Sequence, residues 1–260
     1  MIHVSETIAI GSIESFVDSA ELARLAAIMD GYLTMHRRDQ FGPARLDTIH
    51  EIPGQAAGQA MAVYEPAGRL EVPRVPDQAE AILQDAFRRS CPALSRVMPA
   101  VTACRPWAYV EYGPGQHITS HLDGIAPDPL AWPRQVAGIS VVVTEPESGG
   151  GFYVETTSSD TLWASRLGPV GVALPADGMW LARDGADQSA PWFTRMPRTR
   201  WTVPAPAPGT ALLYGSQLAH GTEPVIAGRS IKFISWLVAD GGANPAATAR
   251  KAGGARAAGH

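Results

Sequence analysis

Residues 109–124 read YVEYGPGQHITSHLDG, and this stretch decides the fold and the chemistry. His121 and Asp123 stand two positions apart in a run with strand character. Because side chains at positions i and i+2 of a strand point to the same face, the imidazole and the carboxylate are expected to converge on one point. Such a pair can supply two adjacent ligands of a metal ion.

A second stretch supplies a third candidate ligand. Residues 220–229 read HGTEPVIAGR: a strand leads into His220, a turn follows, and Arg229 opens a new strand nine residues later. Two histidines and one carboxylate, with three positions left open, form the facial triad typical of non-haem Fe(II) sites. An arginine shortly beyond the second histidine can hold a distal carboxylate through two charge-assisted hydrogen bonds.

Around these motifs the sequence predicts short strands separated by glycine and proline. Runs of this kind favour an antiparallel sandwich or barrel over a parallel sheet with crossover helices. The fold class predicted is therefore mainly β with supporting α-helices. The predicted strands cover residues 107–112, 136–144, 151–155, 210–214 and 230–238.

Two helices are predicted in the first hundred residues, packed on the sheet as supports. Asp18 and Glu21 form a capping box before an apolar stripe, and Gly31 is placed to end that helix. A second helix is predicted from about Asp77 to Ser90 and is expected to end before Pro92.

Composition narrows the class of protein. The chain has 260 residues, of which 45% are hydrophobic and 18% charged, the balance of a globular protein. The net charge is −4 without a clustered positive excess, so no nucleic-acid partner is expected. No apolar run approaches the roughly 20 residues that span a bilayer, and the first residues do not resemble a secretion signal. We therefore expect a cytoplasmic protein with no membrane partner, and the oligomeric state stays open.

Both halves of the pattern together resemble the prolyl-hydroxylase-like branch of the Fe(II)/2-oxoglutarate-dependent dioxygenases. The resemblance covers roughly residues 101–155 and 206–238, and it implies a double-stranded β-helix core, also called a jelly roll and similar to cupins. The matching motifs are Tyr112-x-x-Gly115-Gln116-x-Ile118-x-x-His121-x-Asp123, the strand and double-glycine element at 139–152, and His220-Gly221-x-x-Pro224-Val225-x-x-Gly228-Arg229.

Residue by residue, the resemblance implies the contents of the site. His121, Asp123 and His220 would be the iron ligands, and Arg229 would pair with the C5 carboxylate of 2-oxoglutarate. Tyr112 stands where the family often has a tyrosine near the cosubstrate. The chain departs from the family at Ile118, where many members carry a second tyrosine.

The same resemblance implies an oxidation. With O2 and 2-oxoglutarate as cosubstrates, such an enzyme releases succinate and CO2 and hydroxylates, cyclises or desaturates an unactivated C–H bond. Related halogenases lack the carboxylate found here at Asp123, so oxidation is favoured over halogenation.

The substrate and the domain limits are read from the rest of the chain. We expect one domain over residues 1–240: helical support over 1–100, the core over 101–240 and a substrate loop or lid over 156–208, followed by a flexible tail over 241–260.

The loop arginines, Arg195, Arg198 and Arg200, could recognise a carboxylate-bearing substrate. A small molecule such as an amino acid or natural-product intermediate is favoured. A protein or peptide hydroxylase and a non-catalytic metal- or ligand-binding jelly roll are the alternatives.

Overall fold

The computed structural model describes residues 2–52, 54–123, 132–156, 195 and 198–240. The predicted tail and most of the predicted loop over 156–208 lie outside these residues. In the described part of the chain the strands are, in order, β1 (Ile10–Ile13), β2 (Leu70–Val72), β3 (Ala103–Cys104), β4 (Ala108–Tyr112), β5 (Ile118–His121), β6 (Arg134–Thr144), β7 (Ser148–Gly149), β8 (Phe152–Thr156), β9 (Thr199–Thr202), β10 (Ala211–Gly215), β11 (Ala219–Thr222), β12 (Val225–Ala227) and β13 (Ser230–Ala239).

These strands form two main antiparallel sheets. The major sheet has the order β1-β10-β6-β13-β4-β2, with β3 added beside β13, and the minor sheet has the order β5-β11-β8-β9. A short pair, β12 and β7, lies apart from both. The prediction of a mainly β protein with a jelly-roll core is confirmed, and each of the five predicted strands is present within two residues of its expected bounds.

The first hundred residues contribute strands as well as helices, which the sequence did not predict. β1 pairs with β10, and β2 pairs with β4, so both widen the major sheet. Among the described residues the helices are α1 (Val4–Thr7), α2 (Ser19–Met35), α3 (Ala57–Tyr64) and α4 (Asp77–Val97), with a 3₁₀ turn at Arg38–Phe41. None of the described helices is both long enough and apolar enough to cross a membrane.

Helix α2 begins as predicted and ends later than predicted. The Asp18 carboxylate accepts a hydrogen bond from the Glu21 amide, and the Glu21 carboxylate accepts one from the Asp18 amide. Gly31 does not cap the helix, which continues to Met35 because the buried stripe continues to Leu33. A glycine is a weak helix former, and tertiary packing outweighs that weakness here.

Helix α4 likewise extends past its predicted end. It starts directly after Pro76, as expected, but continues through Pro92 to Val97. Proline at 92 cannot donate the hydrogen bond of its turn. Leu94, which is buried in the same core as Phe87, keeps the helix on the sheet beyond that point.

The main core lies between the helices and one face of the major sheet. Trp107 and Phe233 are fully buried there, together with Leu25 of α2 and Leu83 of α4. The other face of the major sheet is turned toward the minor sheet. The space between the two sheets holds the candidate site.

Candidate active site

Two neighbouring strands of the minor sheet bring the predicted metal ligands together. His121 ends β5, His220 lies in β11, and the two residues are direct partners in the ladder between these strands. Their ring centroids are 4.4 Å apart. Asp123 follows β5 in a bend and places Oδ1 3.4 Å from His121 Nε2 and Oδ2 3.8 Å from His220 Nε2. The three side chains therefore converge on one point.

Backbone contacts fix which nitrogen of each histidine is free. His121 Nδ1 lies 2.8 Å from the Thr119 carbonyl oxygen, and His220 Nδ1 lies 2.8 Å from that of Leu218. A carbonyl only accepts, so both Nδ1 atoms carry a proton, and in the neutral ring the lone pair lies on Nε2. His121 Nε2 is buried and has no hydrogen-bond partner among the described residues. A buried acceptor without a partner fits a metal ligand.

The charges of the three groups also suit a divalent cation. Burial raises the pKa of Asp123, but the neighbouring His220 and His121 outweigh it and hold that pKa below its usual range. Burial lowers the pKa of His220 to about 4. At neutral pH His220 is therefore uncharged and Asp123 is an anion, as ligation of Fe(II) requires.

Gly138 on β6 leaves room for this arrangement. A Cβ atom at that position would lie 2.8 Å from Asp123 Oδ2 and 2.2 Å from a ring carbon of Tyr214. Tyr214 in turn packs against His220, with ring centroids 4.3 Å apart. Any side chain at 138 would displace the carboxylate or the tyrosine, so the site depends on this glycine.

A small cavity, partly open to solvent, adjoins the three side chains. His121, His220 and Thr222 line it from the minor sheet, and Ser140 and Lys232 line it from the major sheet. Apolar side chains form much of the remaining wall, namely Val110, Ile118, Phe152 and Ile234. A pocket with apolar walls and a few placed polar groups is the usual form of a small-molecule site.

Lys232 and Arg69 are basic residues that line this cavity, and Arg229 is not among the lining residues. The Arg229 side chain is 60% exposed, and its Nη1 lies 3.2 Å from Glu111 Oε1, outside the cavity. Side chains alternate between the two faces of a strand, and this alternation explains the difference. Lys232 and Ile234 lie on the face of β13 that is turned toward the cavity. Arg229 lies an odd number of positions before them and is therefore on the opposite face. The predicted contact of Arg229 with a cosubstrate carboxylate does not fit this placement.

Lys232 is itself an unusual group. Its side chain is buried, and burial lowers its pKa while the charge of Glu145 acts in the opposite direction. No hydrogen bond or ion pair of the described residues includes its ammonium group. A buried lysine without a close anion is costly unless a ligand supplies the anion.

Tyr112 lines the cavity, and a buried arginine holds it. Arg69 is fully buried, and its Nη1 donates a hydrogen bond of 2.5 Å to the Tyr112 hydroxyl. Arg69 also contacts the buried carboxylates of Glu65 and Glu71. Because the Tyr112 oxygen accepts from Arg69, its own hydrogen is free to be donated into the cavity.

His50 also lines the cavity, although no sequence motif points to it. Its ring lies 4.9 Å from that of His121, and one of its nitrogens belongs to a group with His121 and Asp123 whose ligand atoms all lie within 4.8 Å of one another. Arg69 was missed as well. Neither residue stands in a recognisable motif, so no local signal in the sequence could have identified them.

Two of the three arginines proposed for substrate binding, Arg198 and Arg200, contact a carboxylate of the protein itself. Arg198 Nε lies 3.2 Å and Arg200 Nη2 3.0 Å from Glu155. Arg200 also stacks on Tyr153, with its guanidinium carbon 3.7 Å from the ring centroid. Arg195 is exposed and is flanked by residues outside the described ranges.

Comparison with known proteins identifies the fold. Neither family models nor curated proteins match the sequence. A prolyl-4-hydroxylase from Pseudomonas putida superposes with a TM-score of 0.50 at 15% identity, over 90% of this chain and 95% of that one. A prolyl hydroxylase from Trichoplax adhaerens, solved with a peptide fragment of hypoxia inducible factor, gives 0.50 at 12% identity, over 90% and 84% of the two chains.

A third structure is the α-ketoglutarate-dependent carbocyclase SnoK of nogalamycin biosynthesis. It gives a TM-score of 0.48 at 11% identity, over 94% of this chain and 87% of that one, which is too distant to carry an argument. The two prolyl hydroxylases match over nearly the whole chain, and the sheet order agrees with the expected jelly roll. The chain therefore has the double-stranded β-helix fold of the prolyl-hydroxylase-like Fe(II)- and 2-oxoglutarate-dependent oxygenases.

Proposed function

We propose that this protein is an Fe(II)- and 2-oxoglutarate-dependent oxygenase whose iron ligands are His121, Asp123 and His220. The observation that carries the proposal is the convergence of the Nε2 atoms of His121 and His220 and the carboxylate of Asp123 beside a cavity. Three ligands of this kind leave up to three metal positions for cosubstrate and O2. A purely structural metal site would be closed by protein ligands.

Bound iron and 2-oxoglutarate would supply the oxidising chemistry, with succinate and CO2 as coproducts. The residues of the chain hold and orient these groups. The carbonyls of Thr119 and Leu218 fix the two imidazoles, and the apolar wall of Phe152 and Ile234 limits the access of water.

Lys232 is our candidate for binding the distal carboxylate of 2-oxoglutarate. A dicarboxylate that chelates the metal at one end needs a cation for its other end, and Lys232 is the lysine that lines this cavity. Hydroxyl groups of Thr222 and Ser140 line the same space and can complete the hydrogen bonds of the carboxylate. Tyr112 is an additional donor to the cosubstrate.

For the substrate we propose a small molecule, such as a natural-product intermediate, that is hydroxylated, cyclised or desaturated. The acidic net charge and the confined cavity support this class. A carboxylate group on the substrate is less well supported, because Arg198 and Arg200 both already contact Glu155, and Arg200 also lies 3.8 Å from Glu223. Succinate release with candidate small molecules and with proline-containing peptides separates the two enzyme classes.

An anaerobic titration of the metal-free protein with Fe(II) and 2-oxoglutarate tests the cofactor assignment. We expect the weak visible charge-transfer band of chelated cosubstrate in the wild type and its loss in His220→Ala. His117→Ala is the matched control, since His117 neighbours the motif but is not among the residues that line the cavity, and its Nδ1 lies 3.2 Å from the Gly115 carbonyl oxygen. Absence of the band in the wild type would refute the dioxygenase proposal and favour a non-catalytic binding protein.

A further inference from the structure

Resting on the proposed function, we infer that His50 is a positioning residue that donates a hydrogen bond from Nε2 to the metal-bound carboxylate of the cosubstrate. One nitrogen of His50 lies close to ligand atoms of both His121 and Asp123. It is therefore beside the metal position, and the question is whether it is a fourth ligand or a donor. Nδ1 faces Arg69, so Nε2 is the nitrogen that remains available to the site.

Arg69 determines the tautomer of His50. Arg69 Nη2 lies 2.9 Å from His50 Nδ1, and a guanidinium group can only donate. His50 Nδ1 must therefore be the acceptor, and the ring proton must lie on Nε2. With its proton in place, Nε2 has no lone pair for a metal and can only donate.

The surrounding cluster prevents Arg69 from releasing His50. Arg69 is fully buried and also binds the Tyr112 hydroxyl and the Glu71 carboxylate. Glu65 is shared between Arg69 and the buried Arg45, whose Nη2 lies 2.5 Å from it. A guanidinium held by this many partners is a fixed donor, so the tautomer is a property of the fold.

The same cluster excludes a second metal site. His50, Glu65 and Glu71 place possible ligand atoms within 4.8 Å of one another. Two buried arginines already neutralise the two carboxylates. A cation there would face two guanidinium groups, so the cluster serves to orient His50 and Tyr112 instead.

The two hydrogen-bond donors in the cavity, Tyr112 and His50, consequently both depend on Arg69. Arg69 donates to Tyr112 and to His50, which leaves the O–H of the first and the Nε2–H of the second available to a ligand. Two neutral donors aimed at one cavity suit an anionic oxygen ligand. This arrangement selects carboxylate cosubstrates without adding a positive charge beside the metal.

The first experiment measures the tautomer directly. Nitrogen-15 NMR of the metal-free, histidine-labelled protein should show His50 protonated at Nε2 and unprotonated at Nδ1, with the assignment taken from the resonances lost in His50→Gln. Zn(II) should leave the Nε2 proton of His50 in place and shift the resonances of His121 and His220. A proton on Nδ1, or loss of the Nε2 proton on Zn(II) binding, would overturn the inference.

The second experiment separates a donor from a ligand. In His50→Gln the amide nitrogen can replace the Nε2 donor, whereas His50→Phe keeps a ring and removes the donor. We expect Co(II) affinity to stay within about threefold in both variants and 2-oxoglutarate affinity of the Co(II) protein to fall about tenfold or more in His50→Phe only. A large loss of Co(II) affinity in either variant would make His50 a metal ligand or a support of Asp123 instead.

Failure of this inference can be told apart from failure of the proposed function. If the wild type binds Co(II) and 2-oxoglutarate but His50→Phe binds both equally well, the oxygenase assignment stands and the role of His50 is refuted. If the wild type binds Co(II) without 2-oxoglutarate, the cosubstrate assignment fails. The tautomer measurement is independent of both results.

Discussion

Lys232 and Arg229 are three residues apart, yet their side chains lie on opposite sides of the major sheet. Lys232 lines the cavity between the sheets, whereas Arg229 pairs with Glu111, whose neighbour Tyr112 points the other way into the cavity. An odd separation along extended chain changes the face. The face of the sheet on which each side chain lies therefore decides which of the two cations can contact a ligand in the cavity.

The first prediction contrasts these two cations. Lys232→Met should reduce the 2-oxoglutarate affinity of the Fe(II) protein about tenfold or more, because a charge-assisted contact is lost from a buried site. Arg229→Met, the matched control, should leave that affinity within about threefold because its side chain is 60% exposed and is not among the residues that line the cavity. Anaerobic titration of the charge-transfer band measures both. The opposite ranking would restore Arg229 as the cosubstrate residue.

The second prediction concerns protons taken up on cosubstrate binding. Burial lowers the pKa of free Lys232 below 10.5, and a bound carboxylate should raise it again. Between the lowered and the raised pKa, binding must therefore take up a proton, and affinity must fall as pH rises through that range. Calorimetry in buffers of different ionisation enthalpy measures the uptake. Uptake of the same size in Lys232→Met would assign the proton to another group.

Sequence alone could predict what is local. The spacing of His121 and Asp123, the capping box at Asp18 and the strands around the motifs depend on neighbours in the chain, and the structure agrees with each. Gly31 and Pro92 were expected to end helices because their propensities are poor. Buried contacts that lie far away in the chain outweigh those propensities.

The rest could not be predicted because it depends on tertiary placement. Choosing Lys232 over Arg229 requires knowing which face of β13 is inward, and a one-residue error reverses the answer. His50 and Arg69 belong to segments without a motif, and only pairing of β2 with β4 brings Arg69 beside Tyr112. Cavity residues of this kind are identified by contacts and not by spacing.

The third prediction tests whether the metal site needs the space that Gly138 leaves beside Asp123. Gly138→Ala should lower Co(II) affinity at least tenfold, since the added methyl group overlaps Tyr214 and the Asp123 carboxylate. Gly31→Ala is the control: its Cβ meets no atom within 4 Å, and alanine should stabilise α2 by about 0.5–1 kcal/mol. Unchanged Co(II) affinity in folded Gly138→Ala would show that the metal site does not depend on this glycine.

The last prediction concerns the buried ion cluster that holds Arg69. Glu71 accepts from Arg69 and from the Ile49 amide, so Glu71→Gln removes a buried negative charge while both guanidinium groups stay in place. Removing one partner of a buried ion pair costs about 3–5 kcal/mol, and denaturant unfolding should show that the free energy of unfolding falls by this amount. Asp85→Asn breaks the exposed pair with Arg88 and should change stability by less than about 1 kcal/mol. Equal effects of the two substitutions would mean that the cluster contributes no more than a surface pair, and Arg69 would then be free to release His50.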